Sequence, residues 1–284
     1  MNRLSLFAKL SISLVVFWLI LFALFPNLLV IGISFLTKSE SDFFTFAFST
    51  ESYTKLLNPV YLSVFLDSLY LAFITTVMTL ILAYPFAYII ATVPKKYKFL
   101  LLLLVIIPFW TSSLVRTYAL IAILKTKGLL NAFLLSLGLI NEPLQIMYTE
   151  VAVFIGMVYT LLPFMILPLY VSIEKIDFKL VEAAKDLGAS KLNIFKTIII
   201  PLSLPGIIAG STLVFLPALG MFFIPDILGG AKELIVGSFI RNQFLLFRDW
   251  PFGSAASVIL LIIMFIMLSL LAKSQKIESS RDKA

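Results

Sequence analysis

Between Lys9 and Lys38 the sequence reads LSISLVVFWLILFALFPNLLVIGISFLT, Leu10 to Thr37, without one charged residue. A helix needs about 20 apolar residues to cross about 30 Å of hydrocarbon, so this stretch is long enough to span a bilayer. It exceeds the apolar core of a signal peptide, and no small-residue cleavage site follows it, so it reads as a retained first span. Five further stretches have the same character. Uncharged residues run from Ser68 to Pro94, from Phe99 up to Arg116, from Val151 to Ile173, from Thr197 to Pro225 and from Trp250 to Ala272. The spacing predicts spans at about 10–36, 66–92, 99–122, 150–173, 198–225 and 250–272, the third being the least clean. The apolar LLNAFLLSLGLI after Gly128 is too short to cross and reads as a helix lying at the surface or against the bundle.

The composition agrees. Of the 284 residues, 61% are hydrophobic and 13% charged, against about 45–50% and about 25% in soluble domains. A water-facing domain would have too little polar surface to cover itself. The chain is therefore expected to be an all-α integral membrane protein with six transmembrane helices. Cysteine and histidine are both absent. That removes thiol nucleophiles, zinc–thiolate sites and the Ser-His-Asp triad, so no catalytic residue and no metal or other cofactor is expected.

Six spans place both termini on one side. With the termini cytoplasmic, inner segments hold 14 of the 22 basic residues, including Lys95, Lys96, Lys98 and five lysines between Lys175 and Lys196. This bias sets the orientation and absorbs most of the net charge of +7, so no nucleic-acid partner is needed. Residues 1–9 form the inner N-terminal segment, 10–272 the membrane domain with an inner loop at 174–197, and 273–284 the inner tail.

That loop reads EKIDFKLVEAAKDLGASKLNIFK from Glu174 to Lys196. Leu180, Val181, Ala184 and Leu187 fall near one helical face, with Lys185 and Asp186 turned away. Gly188 stands where a helix ends in the left-handed conformation, and Ser190 is placed to cap a second helix. From periodicity alone, an amphipathic loop resting on the lipid surface is an equal reading.

The residues are more specific than their period. Glu182-Ala183-Ala184, then Gly188, then Ile198-Ile199-Ile200-Pro201 resembles the signature loop of ATP-binding-cassette importer permeases, with Ile200 in place of the family's Leu. IPFWTSSLVRTYA (Ile107–Ala119), PALGMFFIPDILGGAKELIVG (Pro217–Gly237) and RDWPFGSAAS (Arg248–Ser257) look like the polyamine branch of that family. The resemblance implies the type I importer permease fold in a bacterial inner membrane. It also implies a pair of cytoplasmic ATPase subunits, a second related permease and a periplasmic polyamine-binding protein. In such importers the loop is the coupling helix that docks on the ATPase. Glu182, Ala183, Ala184, Gly188 and Pro201 then carry that joint. Small Ala183 and Ala184 allow close approach, Glu182 offers a charge, Gly188 permits the turn, and Pro201 with Pro205 breaks the helical ladder.

A polyamine needs carboxylates to attract it and aromatic faces to hold desolvated ammonium groups. Asp67, Glu150, Asp226 and Asp249 fall at outer ends of the expected spans, where they would focus cations or simply lie solvated. Phe109 and Trp110 lie roughly 17 Å up from Lys98 and Tyr159 roughly 14 Å down from Glu150, near mid-membrane. The expected pathway residues are Phe109, Trp110, Tyr159, Asp67 and Asp226. Pro163 and Pro168 suggest kinks at the same level. Gly206 and Gly210 form a G-x-x-x-G spacing that suits either a partner subunit or packing within the chain. Arg116 is read as snorkelling at the outer interface.

Without a G-x-x-x-x-G-K-[ST] phosphate loop the chain is not its own ATPase. A permease for putrescine alone, a ferric ion or an oxyanion remains an alternative. A self-contained secondary carrier would need ionisable residues at the midplane of its spans.

Overall fold

The computed structural model describes residues 6–39, 42–232 and 234–281. Residues 1–5 and 282–284 of the expected inner termini, with Arg3 and Lys283, lie outside the described residues. The described chain is mostly helical, with one short antiparallel hairpin pairing Leu36–Thr37 with Thr45–Phe48. Among the described residues, six helical runs are long and apolar enough to cross a membrane: Lys9–Ile33, Pro59–Thr92, Ser113–Ser136, Glu150–Glu174, Lys191–Gly220 and Trp250–Ser269.

Packing divides the chain into two parts. The first comprises Met1–Val64 and Phe239–Phe265. No residue of its first span, Lys9–Ile33, is buried within the chain. After the hairpin and the short helix Glu51–Leu56, Tyr61 packs against Phe239 and Phe252, with ring centroids 5.5 and 5.0 Å away. Asp249 opens the last helix. One carboxylate oxygen accepts from Phe252 N at 3.2 Å and the other lies 3.3 Å from Lys38 Nζ. A carboxylate at the N-cap position satisfies an orphan donor and complements the dipole.

The second part comprises Phe65–Ser238 and Ile266–Ala284. Its core is the helix Glu150–Glu174, which buries Met157, Leu161, Met165, Leu169 and Ile173 at a strict four-residue spacing. Residues four apart share a helix face, so this stripe follows from the sequence. The facing helix, Ile200–Gly220, approaches through its glycines. A Cβ on Gly206 would stand 2.5 Å from Ser172 Cβ, and one on Gly210 would stand 2.7 Å from Met165 Sδ. The G-x-x-x-G face thus packs within the chain. Tyr84 and Ser203 add a hydroxyl pair at 2.7 Å.

Two prolines behave differently from expectation. Pro201 and Pro205 do not interrupt the Lys191–Gly220 run; a π-turn at Phe195–Ile199 precedes Pro201 instead. The same pairing occurs in the first span, where a π-turn at Ile20–Leu24 precedes Pro26. In both, the proline's missing donor and its ring fall opposite the carbonyl four residues back, inside the widened turn. Opening the ladder there avoids the clash. Pro163 and Pro168 lie within one continuous helix.

The third stretch departs from the expected 99–122 run. Helix Lys95–Ile106 passes into a 3-10 turn at Ile107–Trp110, Thr111 and Ser112 are extended, and a new helix runs Ser113–Leu124. Pro108 lies in that turn, and an extended pair cannot continue a helical ladder. Leu129–Ser136 forms the expected short helix. Buried Asn131 anchors it, accepting from Leu144 N and donating to Leu144 O, both at 2.9 Å. The second helix starts at Pro59, so Asp67 lies inside it rather than at its end. The fifth ends at Gly220, so Asp226 falls in a separate helix, Phe223–Gly229.

Candidate functional site

The signature loop is built from local rules. Asp177 Oδ1 accepts from Lys179 N at 3.1 Å and opens the helix Lys179–Asp186. Val181 turns inward and is buried, as are Ile176 and Ile194. The helix closes with Ala189 N donating to Ala184 O at 3.0 Å and Gly188 N to Lys185 O at 2.9 Å. That double bond is the Schellman arrangement, which requires a left-handed residue. Gly188 supplies it with φ +81°. Ser190 Oγ then accepts from Asn193 N at 3.3 Å and caps Lys191–Ile194.

The outer face of this helix is unusual. Glu182 and Ala183 are exposed, and Ala184 is half-buried. Leu180 is exposed, and Leu187 beside the turn is 88% exposed. The apolar set read from periodicity therefore divides, with Val181 holding the loop to the protein and the two leucines facing away. Pro201 lies exposed beyond the π-turn rather than in the loop itself.

The expected pathway residues are partly brought together. Phe109 packs edge-on against Phe164 with centroids 5.2 Å apart. Phe164 lines an apolar groove of about 620 Å³ with Pro168, Val171, Pro205, Ala209 and Leu213. Phe109 and Tyr159 share a neighbour that sequence reasoning placed elsewhere. Arg116 is 8% exposed, and its guanidinium carbon lies 5.8 Å from the Phe109 centroid and 6.0 Å from that of Tyr159. It is buried rather than snorkelling, because the break at Thr111–Ser112 turns its helix so that Arg116 and Thr117 face inward. Trp110 is 77% exposed and has no ring partner among the described residues.

The carboxylates are scattered. Asp67 is exposed. Asp226 Oδ1 accepts from Ser238 Oγ at 2.6 Å. Asp249 is engaged in the cap and the ion pair described above. Glu150 lines a small cavity of about 190 Å³ with Tyr148, Gly229 and Lys232. Lys232 Nζ there donates to Tyr148 O at 2.9 Å. No cluster of metal-ligating side chains occurs among the described residues.

Residues 60–276 match the family model described as binding-protein-dependent transport system inner membrane component. The chain is 56% identical over 254 residues to the spermidine/putrescine transport system permease protein PotB of Escherichia coli K12, covering 89% of this chain and 92% of that protein. It is 53% identical over 268 residues to the protein of the same name from Salmonella typhimurium SL1344, covering 94% and 93%. Among solved structures, a bacterial alginate ABC transporter in complex with an alginate pentasaccharide-bound periplasmic protein matches with a TM-score of 0.75 at 16% identity, over 95% of this chain and 94% of that one. That last likeness concerns the fold.

Proposed function

The chain belongs to the binding-protein-dependent transport system inner membrane component family, and from that membership we propose that it forms half of the membrane pathway of an ATP-driven polyamine importer. It is a non-catalytic, multi-pass inner-membrane permease subunit. The observation that carries the substrate is identity of 53–56% to two spermidine/putrescine permeases over nearly the whole chain.

The joint to the motor is the helix Lys179–Asp186. Its exposed Leu180 and Leu187 present apolar surface outward from a loop that is otherwise charged. Such a face is satisfied by a protein groove, and the hydrolytic cycle is supplied by a pair of cytoplasmic ATPase subunits. A second, related permease completes the pathway, and a periplasmic binding protein delivers spermidine or putrescine. The termini and the loop at 174–197 face the cytoplasm, as the lysine bias requires. Phe109, Trp110 and Tyr159 supply ring faces for the substrate's ammonium groups, while Asp67 and Asp226 draw cations toward them.

The test is reconstitution of the chain with its ATPase, sister permease and binding protein in liposomes. Labelled spermidine is expected to accumulate only with ATP and binding protein present, with excess putrescine competing and sulfate not. ATP hydrolysis stimulated by another solute, with no polyamine accumulated, overturns the assignment.

A further inference from the structure

Arg116 is the one buried charged side chain among the described residues. A guanidinium does not deprotonate in a protein, so it carries its charge into the membrane-spanning region. Buried cations are normally paired. No ion pair is formed by Arg116 among the described residues, and its Nε has no hydrogen-bond partner there. What it has is two ring faces, Phe109 at 5.8 Å and Tyr159 at 6.0 Å. Phe109 is 43% and Tyr159 40% exposed, so the pair is also reachable from outside the chain.

Two aromatic faces around one cation are the arrangement that a desolvated alkylammonium requires. The same faces cannot serve two cations together, because like charges in a low-dielectric site repel strongly. We propose that Arg116 is a tethered occupant of the Phe109–Tyr159 cation site, and that a substrate ammonium enters only when Arg116 withdraws. The substrate's charge rests on the polyamine reading above; the occupancy rests on the geometry. Arg116 sits four residues into its helix, directly after the extended pair Thr111–Ser112. A shift of that helix end removes the guanidinium from the rings while Phe109, on the other side of the break, stays. The resting pathway is thereby closed to cations in general by a charge of its own.

The experiment uses the complete complex in liposomes loaded with tetramethylammonium, without ATP or binding protein. Its permanent charge and affinity for ring faces make efflux a readout of the site rather than of polyamine recognition. Arg116→Met is expected to raise efflux about tenfold, the factor for losing one modest cation–π interaction. Arg116→Lys keeps a cation in place and is expected to stay within about twofold of the parent. An assembled Arg116→Met complex as tight as the parent overturns the proposal. If that variant does not assemble, Arg116→Gln decides: it removes the charge, keeps a polar side chain and leaves both rings in place, so the efflux is expected to rise, and an unchanged efflux overturns the proposal. ATP-driven spermidine uptake by the parent is measured in parallel. Its failure, with the efflux pattern intact, removes the polyamine assignment and leaves Arg116 as the plug.

Discussion

Lys98 Nζ donates to Glu174 Oε1 at 2.9 Å, joining the first turn of the helix Lys95–Ile106 to the last residue of the helix Glu150–Glu174. The inner loop at 174–197 starts at Glu174 itself, so this pair fixes the point from which the loop departs. The Lys98 side chain is only 17% exposed, which lifts the pair above a fully solvated one. Exposed pairs contribute about 0.2–1 kcal/mol. A double-mutant cycle with Lys98→Met and Glu174→Gln is expected to give a coupling near the top of that range in the melting of the detergent-solubilised complex. Additive effects would show that the two groups do not act together.

The close approach of Gly206 to Ser172 and Pro168 gives a steric prediction. A Cβ there stands 2.8 Å from the Pro168 carbonyl, which is backbone and does not yield easily. Gly206→Ala is expected to destabilise by about 1–3 kcal/mol through overpacking. Gly220→Ala, in the same helix, meets nothing within 4 Å and serves as the tolerated control. Equal melting temperatures for the two variants would remove the helix–helix contact.

Much of this architecture is legible in charge-free runs and in the spacing of one loop. The Gly188 turn needed only local chemistry, since an apolar period, a glycine and a following serine define a helix end and a new start. The Thr111–Ser112 break was hidden because both residues are uncharged and lie inside an apolar run, where Pro108 alone does not say whether the chain kinks or stops. Arg116 was misplaced for the same reason: its burial depends on which way the helix after the break faces, a tertiary property. Asp67 illustrates the opposite error. A charge in the sequence suggests the end of a span, whereas the helix extends eight residues before it, to Pro59. The two alternatives for Gly206 and Gly210 were separable only by the side chains facing them.

The absence of cysteine makes the orientation directly measurable. Phe46 in the hairpin is 91% exposed and Leu187 in the loop is 88% exposed, so single cysteines at either site are accessible. With the loop cytoplasmic, a membrane-impermeant maleimide added to spheroplasts labels Phe46→Cys and spares Leu187→Cys. Inverted vesicles reverse the pattern. Labelling of Leu187→Cys from outside would place the loop away from any cytoplasmic ATPase.

Ring faces held to carry substrate should show in the uptake rate. A cation–π contact contributes about 0.5–2 kcal/mol, equivalent to a few-fold to about thirtyfold. Trp110→Ala and Tyr159→Ala are each expected to slow spermidine uptake within that range, with the complex still assembled. Because Trp110 has no ring partner among the described residues, its loss should leave the melting temperature unchanged. Parent-like uptake in both variants would take these side chains out of the pathway.

The turn at Gly188 allows the sharpest test of the coupling joint. A Cβ there meets nothing within 4 Å, so any penalty comes from φ +81° and not from a clash. Asparagine enters that conformation readily, whereas a β-branched residue is an outlier in it. Gly188→Asn should therefore behave almost as the parent, and Gly188→Val should be strained by about 1–3 kcal/mol. The strain is confined to a loop, so insertion and pairing with the sister permease should survive while ATPase binding weakens. Leu187→Glu tests the same joint without touching the backbone, because it puts a charge on the apolar face that the groove would cover. Glu182→Lys reverses the charge offered beside it. A loop lying on anionic headgroups would gain from that added positive charge, whereas a loop docked on a protein loses its complement. Co-purification of the ATPase, measured with uptake, separates these cases. Retention of the ATPase and parent-like transport by Gly188→Val, Leu187→Glu and Glu182→Lys together would mean that this helix is not the coupling joint.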